Sequence, residues 1–286
     1  RRHSYLLREK RRRVAQIAMD KYAVVGNPIK HSLSPQIHTR FASETGQSLE
    51  YLALELDSEH FEEQIRQLIV NGYKGVNVTV PFKEKAWAMA DRLSPRAKDA
   101  GAVNTLIFQQ DGQIGGDNTD GIGLTRDMIT NHNILIRHRK VLVLGAGGAV
   151  RGVLGPLLAQ KPQILTIANR TLDRAETLVE QFSESHLDST ELNSCAYQDL
   201  GRDKYDLIIN GTSAGLNNEV PPIPDDILGI NSICYDMMYN TCQPTAFVKW
   251  AQDRGALRAY DGLGMLVEQA AEAFFIWRGV RPDTAR

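Results

Sequence analysis

The junction that most constrains this chain lies at its middle, where the apolar run Val141-Leu142-Val143-Leu144 meets Gly145-Ala146-Gly147-Gly148-Ala149. Such a short apolar run reads as a strand buried on both faces, the pattern of a parallel sheet covered by helices. Glycines at the strand end let the backbone approach a bound group, and the following helix offers free N–H groups to an anion. The junction predicts a pyrophosphate cradle, with Val150 standing where the third small residue of the common fingerprint would fall. A tight turn without a ligand is the plain alternative. The next strand end selects the nucleotide: residues 164–168 run into Asn169-Arg170-Thr171, with Arg174 one turn on and no acid before Asp173. An acid there would hold a ribose 2′-hydroxyl, whereas arginine accommodates a 2′-phosphate through paired hydrogen bonds. NADP is the expected cofactor. Two solvated arginines at a helix start are the alternative.

Strand-like runs and helical periodicities alternate from Tyr22 onward, as in βαβ units. Strands are expected over 22–25, 51–55 and 75–79, with a hairpin from 103–108 to a partner beyond the Asp111-Gly112 turn. Helices are expected over 36–45, with Ser34 as N-cap and Pro35 in the first turn, over 59–71, from Pro81-Phe82-Lys83-Glu84, and from Asp120 toward Asn131. A second sheet begins at 141–144 and continues through 164–168, 195–197, 207–210 and 233–236. Helices over 245–254 and 263–277 complete the chain.

A length of 286 residues suits two domains, each with its own core. No apolar run reaches the roughly 18 to 20 residues that span a bilayer, and no secretory segment opens the chain, so a cytoplasmic protein without a membrane partner is expected. Cys195, Cys234 and Cys242 are odd in number and lack ligand spacing, which predicts neither a disulfide framework nor a metal site. Residues 1–18 hold seven basic side chains against Glu9, a formal +6 within a chain of net −1, leaving −7 for residues 19–286. A nucleic-acid-binding arm is one reading of that segment. The preferred one is an extension upstream of a natural start at Met19, with no nucleic-acid partner.

Two polar stretches stand at element ends where folding alone would not require them. Asn77-Val78-Thr79-Val80-Pro81-Phe82-Lys83 puts Asn77 and Thr79 on one face of a strand end and Lys83 on the next turn; Asp117-Asn118-Thr119-Asp120-Gly121 precedes a helix. Removing hydride from an alcohol needs a group that takes the hydroxyl proton, which a lysine held against an aspartate can supply. By themselves, Lys83 and Asp120 read first as two surface charges.

The stretches Gly26-Asn-Pro-Ile-Lys-His-Ser32-Leu-Ser34-Pro35, Asn77 to Lys83, Gly101-Ala-Val-Asn104-Thr, Asp117-Asn-Thr-Asp120-Gly-Ile-Gly, Asn169-Arg-Thr and Asp261-Gly262-Leu-Gly-Met-Leu-Val-Glu-Gln269-Ala resemble the shikimate dehydrogenase family, in that family's order and across residues 22–283. The resemblance implies a two-domain α/β chain: an N-terminal α/β substrate domain of residues 19–119 and 262–286, and a Rossmann-type doubly wound NADP domain of residues 120–261 inserted into it, with the C-terminal helix returning to the first domain. It implies reversible NADPH-dependent reduction of 3-dehydroshikimate to shikimate, in aromatic amino acid (chorismate) biosynthesis, by a monomer or homodimer. Ser32 and Ser34, with Tyr239, would bind the carboxylate. Thr79, Asn104, Asp120 and Gln269 would hold the ring hydroxyls with Asn77 in support, and Lys83 with Asp120 would manage the proton. Gly145, Ala146, Gly147, Gly148 and Ala149 would hold the pyrophosphate, Asn169, Arg170, Thr171 and Arg174 the 2′-phosphate, and Thr212, Ser213, Met237 and Gly262 the nicotinamide end. Residues 240–245 depart from the family's proline-containing turn, and Tyr239 adjoins them. An NAD-using quinate/shikimate dehydrogenase and a catalytically idle NADP-binding regulator are the alternatives; Arg170 and the serine pair speak against the first, Lys83 with Asp120 against the second.

Overall fold

The structure is a computed structural model that describes residues 19–186, 190–201 and 203–285; the basic segment 1–18 lies outside them. The first half of the chain forms β1 (Asp20–Gly26), α1 (Ser34–Thr45), β2 (Leu49–Glu55), α2 (Phe61–Val70), β3 (Tyr73–Val78), α3 (Lys83–Met89), β4 (Arg92–Leu93), α4 (Pro95–Ala100), β5 (Thr105–Phe108), β6 (Ile114–Asp117) and α5 (Asp120–Arg126), which runs into a π-helical turn at Asp127–Asn131. The second half forms β7 (Lys140–Leu144), α6 (Gly148–Ala159), β8 (Ile164–Asn169), α7 (Leu172–His186), β9 (Glu191–Ala196), β10 (Tyr205–Asn210), β11 (Leu228–Asp236), α8 (Ala246–Asp253), β12 (Arg258–Tyr260) and α9 (Leu263–Arg278).

The first sheet has the order β2-β1-β3-β5-β6-β4. β1 pairs parallel to β2 and β3, and β5 runs antiparallel between β3 and β6. One face packs Phe61, Ile65, Phe82 and Ala86 from α2, α3 and the turn before it. The other packs Phe41 of α1 with Ala270, Ala271 and Phe274 of α9. Arg96 bonds Asp117 through Nε (2.6 Å) and Nη2 (2.9 Å) and reaches Glu272 of α9 at 3.3 Å, while Arg281 bonds Glu272 at 2.7 Å. These bonds hold the last helix to the first sheet.

The second sheet is all parallel with the order β12-β11-β10-β7-β8-β9. Counted from β7, this is the 3-2-1-4-5-6 arrangement in which two mononucleotide halves meet between the first and fourth strands. The pleat sends Val141 and Val143 to the face under α6 and α7, and Leu142 and Leu144 to the face under α8. The two domains meet where α5 crosses α9. A Cβ on Gly123 would stand 2.7 Å from Gln269 Cβ, and one on Gly264 would stand 2.1 Å from Asp127 Oδ1, so only glycine allows these approaches.

Several sequence expectations need correction. Ser34 is the first helical residue rather than the N-cap: Leu33 occupies the cap position without a side-chain bond, and the Ser34 N–H instead donates to Ser32 Oγ at 3.3 Å. The strand expected at 195–197 lies at Glu191–Ala196, and Tyr197 already belongs to a 3₁₀ turn. The helix from Asp120 widens to π geometry at Asp127. The short elements β4, α4 and β12 were not expected.

Candidate active site

Topology gathers the polar residues at one edge. β3 and β6 run in the same direction with antiparallel β5 between them, so the end of β3, the start of β5 and the end of β6 lie side by side. These are the positions of Asn77 and Thr79, of Asn104, and of Asp117 to Asp120. Lys83 opens α3 just beyond β3, and its Nζ donates to Asp120 Oδ2 at 2.5 Å. The pair is largely enclosed, with side chains 16% and 8% exposed. Asp120 Oδ1 accepts from Asn104 Nδ2 at 2.8 Å, and its backbone N–H donates to Asn118 Oδ1 at 3.1 Å. Asp117, the other carboxylate of the cluster, is committed to Arg96. Among the described residues, Asp120 is the carboxylate that pairs with Lys83.

A chain of hydrogen bonds runs from the pair toward α1. Asn104 Nδ2 also lies 2.9 Å from Thr119 Oγ1 and 3.3 Å from Gln269 Oε1. Asn77 Nδ2 donates to the Asn104 carbonyl and to Thr105 Oγ1, both at 3.1 Å, and Asn77 Oδ1 accepts from the Tyr51 hydroxyl at 2.7 Å. Tyr51 in turn lies against Ser34. His38, one helical turn after Ser34, is fully buried and stacks on the Tyr51 ring at 4.1 Å; burial brings its pKa down to about 3, so the ring stays neutral. Tyr239, from the second domain, lies against the Leu33 backbone and is thereby brought to the two serines. Thr79 is half-buried and touches the end of β1, since a Cβ on Gly26 would lie 2.5 Å from its methyl.

Opposite this edge stand the carboxyl ends of β7, β8, β10 and β11, the position at which doubly wound sheets bind ligands. Gly145 has φ +103°, which a side chain would strain, and packs on Thr212 and Gly211. Nothing lies within 4 Å of a Cβ built on Gly147. No side chain caps α6, so the N–H groups of its first turn remain available. An uncapped helix start behind open space fits a nucleotide pyrophosphate. At the end of β8, Asn169 Nδ2 bonds the Thr171 carbonyl at 2.8 Å. Arg170 and Arg174 are exposed, and among the described residues neither has a carboxylate partner. Thr212, Met237 and Gly262 cluster beside Gly145: Thr212 Oγ1 donates to Asn210 Oδ1 at 2.8 Å, Met237 N–H donates to the Asn210 carbonyl at 2.8 Å, and a Cβ on Gly262 would meet the Met237 carbonyl at 2.3 Å. Ser213 follows on the same loop. The two edges approach one another: a Cβ built on Gly148 would lie 3.9 Å from Lys83 Cβ.

Sequence reasoning missed Tyr51, His38, Asn210 and Asp236, and gave Asn118 and Thr119 no role beyond their place in a polar stretch. Asp236, fully buried at the end of β11, accepts from Asn210 Nδ2 (3.0 Å), Met238 N–H (3.1 Å) and Thr245 Oγ1 (2.6 Å). A polar strand end of this kind is its signal in the sequence. Burial pushes its pKa from 3.8 up to about 6, although its three donors oppose the shift. The folded state thus favours the neutral acid, and its stability falls as pH rises from about 4 to about 6. From pH 4 to 7, Asp236→Asn should gain on the parent by on the order of 2–3 kcal/mol, measured by urea unfolding. Parallel stability curves would contradict this.

Two α/β sheets that oppose a nucleotide-type cradle to an edge carrying a lysine–aspartate pair define a nicotinamide-nucleotide oxidoreductase. Family models place the chain more closely: the shikimate dehydrogenase substrate binding domain matches residues 24–106, shikimate / quinate 5-dehydrogenase matches 126–217, and the shikimate 5′-dehydrogenase C-terminal domain matches 262–286. The shikimate dehydrogenase (NADP(+)) of Alkalilimnicola ehrlichii is 54% identical over 266 residues, covering 93% of this chain and 96% of that protein. An Ael1 enzyme from Pseudomonas putida superimposes with a TM-score of 0.84 at 46% identity, covering 93% of this chain and 95% of that one. Shikimate 5-dehydrogenase of Thermus thermophilus, solved in complex with NADP(H) and shikimate, does so with a TM-score of 0.81 at 32% identity, covering 93% and 95%. The chain belongs to the shikimate dehydrogenase family.

Proposed function

We propose that this chain catalyses the reversible NADPH-dependent reduction of 3-dehydroshikimate to shikimate in aromatic amino acid biosynthesis, as a monomer or homodimer of the cytoplasm. The observation that carries the reading is the Lys83–Asp120 pair: it joins the helix start just beyond β3 to the first residue of α5, and the Asp120 carboxylate lies against Gly152 of α6. NADP supplies the hydride chemistry. Lys83 Nζ and Asp120 hold the proton that the alcohol gives up, and their enclosure keeps water from competing for it. Residues 19–119 and 262–286 form the substrate domain, and 120–261 the nucleotide domain.

In this reading Asn104, Thr79 and Gln269 bind the ring hydroxyls beside Asp120, and Asn77 fixes Asn104. Such amides and hydroxyls discriminate strongly for a polyol, because a ligand lacking a hydroxyl leaves them unpaired. Ser32 and Ser34 bind the carboxylate, with Tyr239 closing over them. Gly145 to Ala149 cradle the pyrophosphate, Asn169 to Arg174 hold the 2′-phosphate, and Thr212, Ser213, Met237 and Gly262 bound the nicotinamide. Ser32→Ala and Ser34→Ala should each raise KM for shikimate about 10-fold or more, at roughly 1.5–3 kcal/mol per bond to a charged group, and leave NADP⁺ affinity unchanged. Equal weakening of both ligands would reduce the serines to local scaffolding.

The direct test follows A340 with shikimate or quinate, each with NADP⁺ or NAD⁺. Turnover should be fastest with shikimate and NADP⁺; no turnover with that pair would overturn the reading.

A further inference from the structure

Helix α6 carries two glycines in its interior, Gly152 and Gly155, where alanine would stabilise the helix by roughly 0.5–1 kcal/mol each. For Gly152 the reason lies in the turn against which α6 packs. A Cβ on Gly152 would stand 3.1 Å from Asp120 Oδ2 and 2.9 Å from both Nδ2 and Oδ1 of Asn118, the residue whose Oδ1 accepts the Asp120 N–H. One turn on, Pro156 lies within α6. Proline has no N–H to give the Gly152 carbonyl, and interior proline costs a helix about 3 kcal/mol. That carbonyl and the proline ring both press on the residue after Asp120: a Cβ on Gly121 would lie 2.6 Å from Gly152 O and 2.4 Å from Pro156 Cγ. Two residues unfavourable to the helix thus sit where it meets the Asp120 turn.

We infer that Gly152, seconded by Pro156, is a positioning residue for the reaction. The same helix that offers its first turn to the nucleotide fixes the Asp120 carboxylate against Lys83 from behind, so the acid–base pair is complete only when α6 is seated on the Asn118–Gly121 turn. The inference rests on the roles proposed above for Lys83 and Asp120.

A double-mutant cycle tests it. Gly152→Ala adds one methyl where the Asp120 oxygen and the Asn118 amide leave no room, and a displacement of that size should lower kcat for shikimate roughly 10- to 100-fold. It should also move the pH profile of kcat, while NADP⁺ affinity by calorimetry stays within about twofold of the parent. On an Asp120→Asn background, the same change should lower kcat by less than about threefold, because the group it displaces no longer acts. Pro156→Ala, which removes bulk and restores a helical N–H, should fold readily and lower kcat through the same coupling. Equal losses on both backgrounds, or an unchanged kcat and pH profile in both variants, would overturn the inference. Should the unaltered protein fail to turn over shikimate, the proposed activity falls instead. The Asp120 carboxyl titration, followed by ¹³C NMR and assigned with Asp120→Asn, then decides the positioning alone: the same midpoint in parent and Gly152→Ala refutes it.

Discussion

Lys83→Ala should lower kcat for shikimate oxidation about 10²- to 10⁴-fold, the usual contribution of a positioned acid–base group, and change shikimate affinity far less. The asymmetry follows from the bonding. Lys83 donates to Asp120, whereas in the proposed reading Asn104, Thr79, Gln269 and the serines hold the polyol acid without bonding the lysine. The proton must move only in the transition state, so its loss appears in kcat. The substitution also leaves Asp120 enclosed with Asn104 as its remaining side-chain donor. A melting curve measured alongside separates that structural cost from the chemical one. A Lys83→Ala protein with near-parental kcat would remove the lysine from the mechanism.

Arg170→Ala should weaken NADP⁺ roughly 10- to 100-fold and leave NAD⁺ nearly unchanged. Arg170 stands exposed at the end of β8 with no carboxylate partner among the described residues, so its charge is free for a ligand. Charge-assisted bonds to a 2′-phosphate contribute about 1.5–3 kcal/mol, and 1.4 kcal/mol is tenfold in affinity. Arg174, in the first turn of α7, is exposed as well, so the double variant should exceed either single one without being additive. Calorimetric titration with both nucleotides reads the effect. Retention of the full NADP⁺ preference in Arg170→Ala would place the selectivity elsewhere.

The parts of this site legible in the sequence were those fixed by local chemistry. Gly145 needs a positive φ, and Arg170 follows a strand end by simple count. Lys83 and Asp120 were recognisable through the motifs around them, but their contact was not. It arises because β5 inserts antiparallel between β3 and β6 and brings together residues 37 positions apart in sequence. Tyr51 and His38 carry no polar signature, since an aromatic on a strand and a histidine on an apolar helix face both read as core. The short elements escaped for a different reason. β12 has three residues on a sheet edge; β9 was expected but placed too late, because its polar, half-exposed face hides the alternation that marks a strand. Ser34 was misplaced by one position because Ser32 Oγ, rather than Ser34 itself, takes the first N–H of α1.

The return of α9 to the first sheet sets an order of assembly on the ribosome. Tyr22, Phe41 and Tyr51 emerge early, yet their aromatic partners Phe274 and Trp277 come from the last helix, and Trp277 stacks on Tyr22 at 4.7 Å. The α/β unit from β7 to β12 is contiguous and can condense as soon as it clears the exit tunnel. Between the appearance of α2 and that of α9 lie nearly two hundred residues, roughly 10–40 s of synthesis at ordinary rates. Throughout that interval α1 covers only part of one apolar face of the first sheet, which places the chain's aggregation hazard before release.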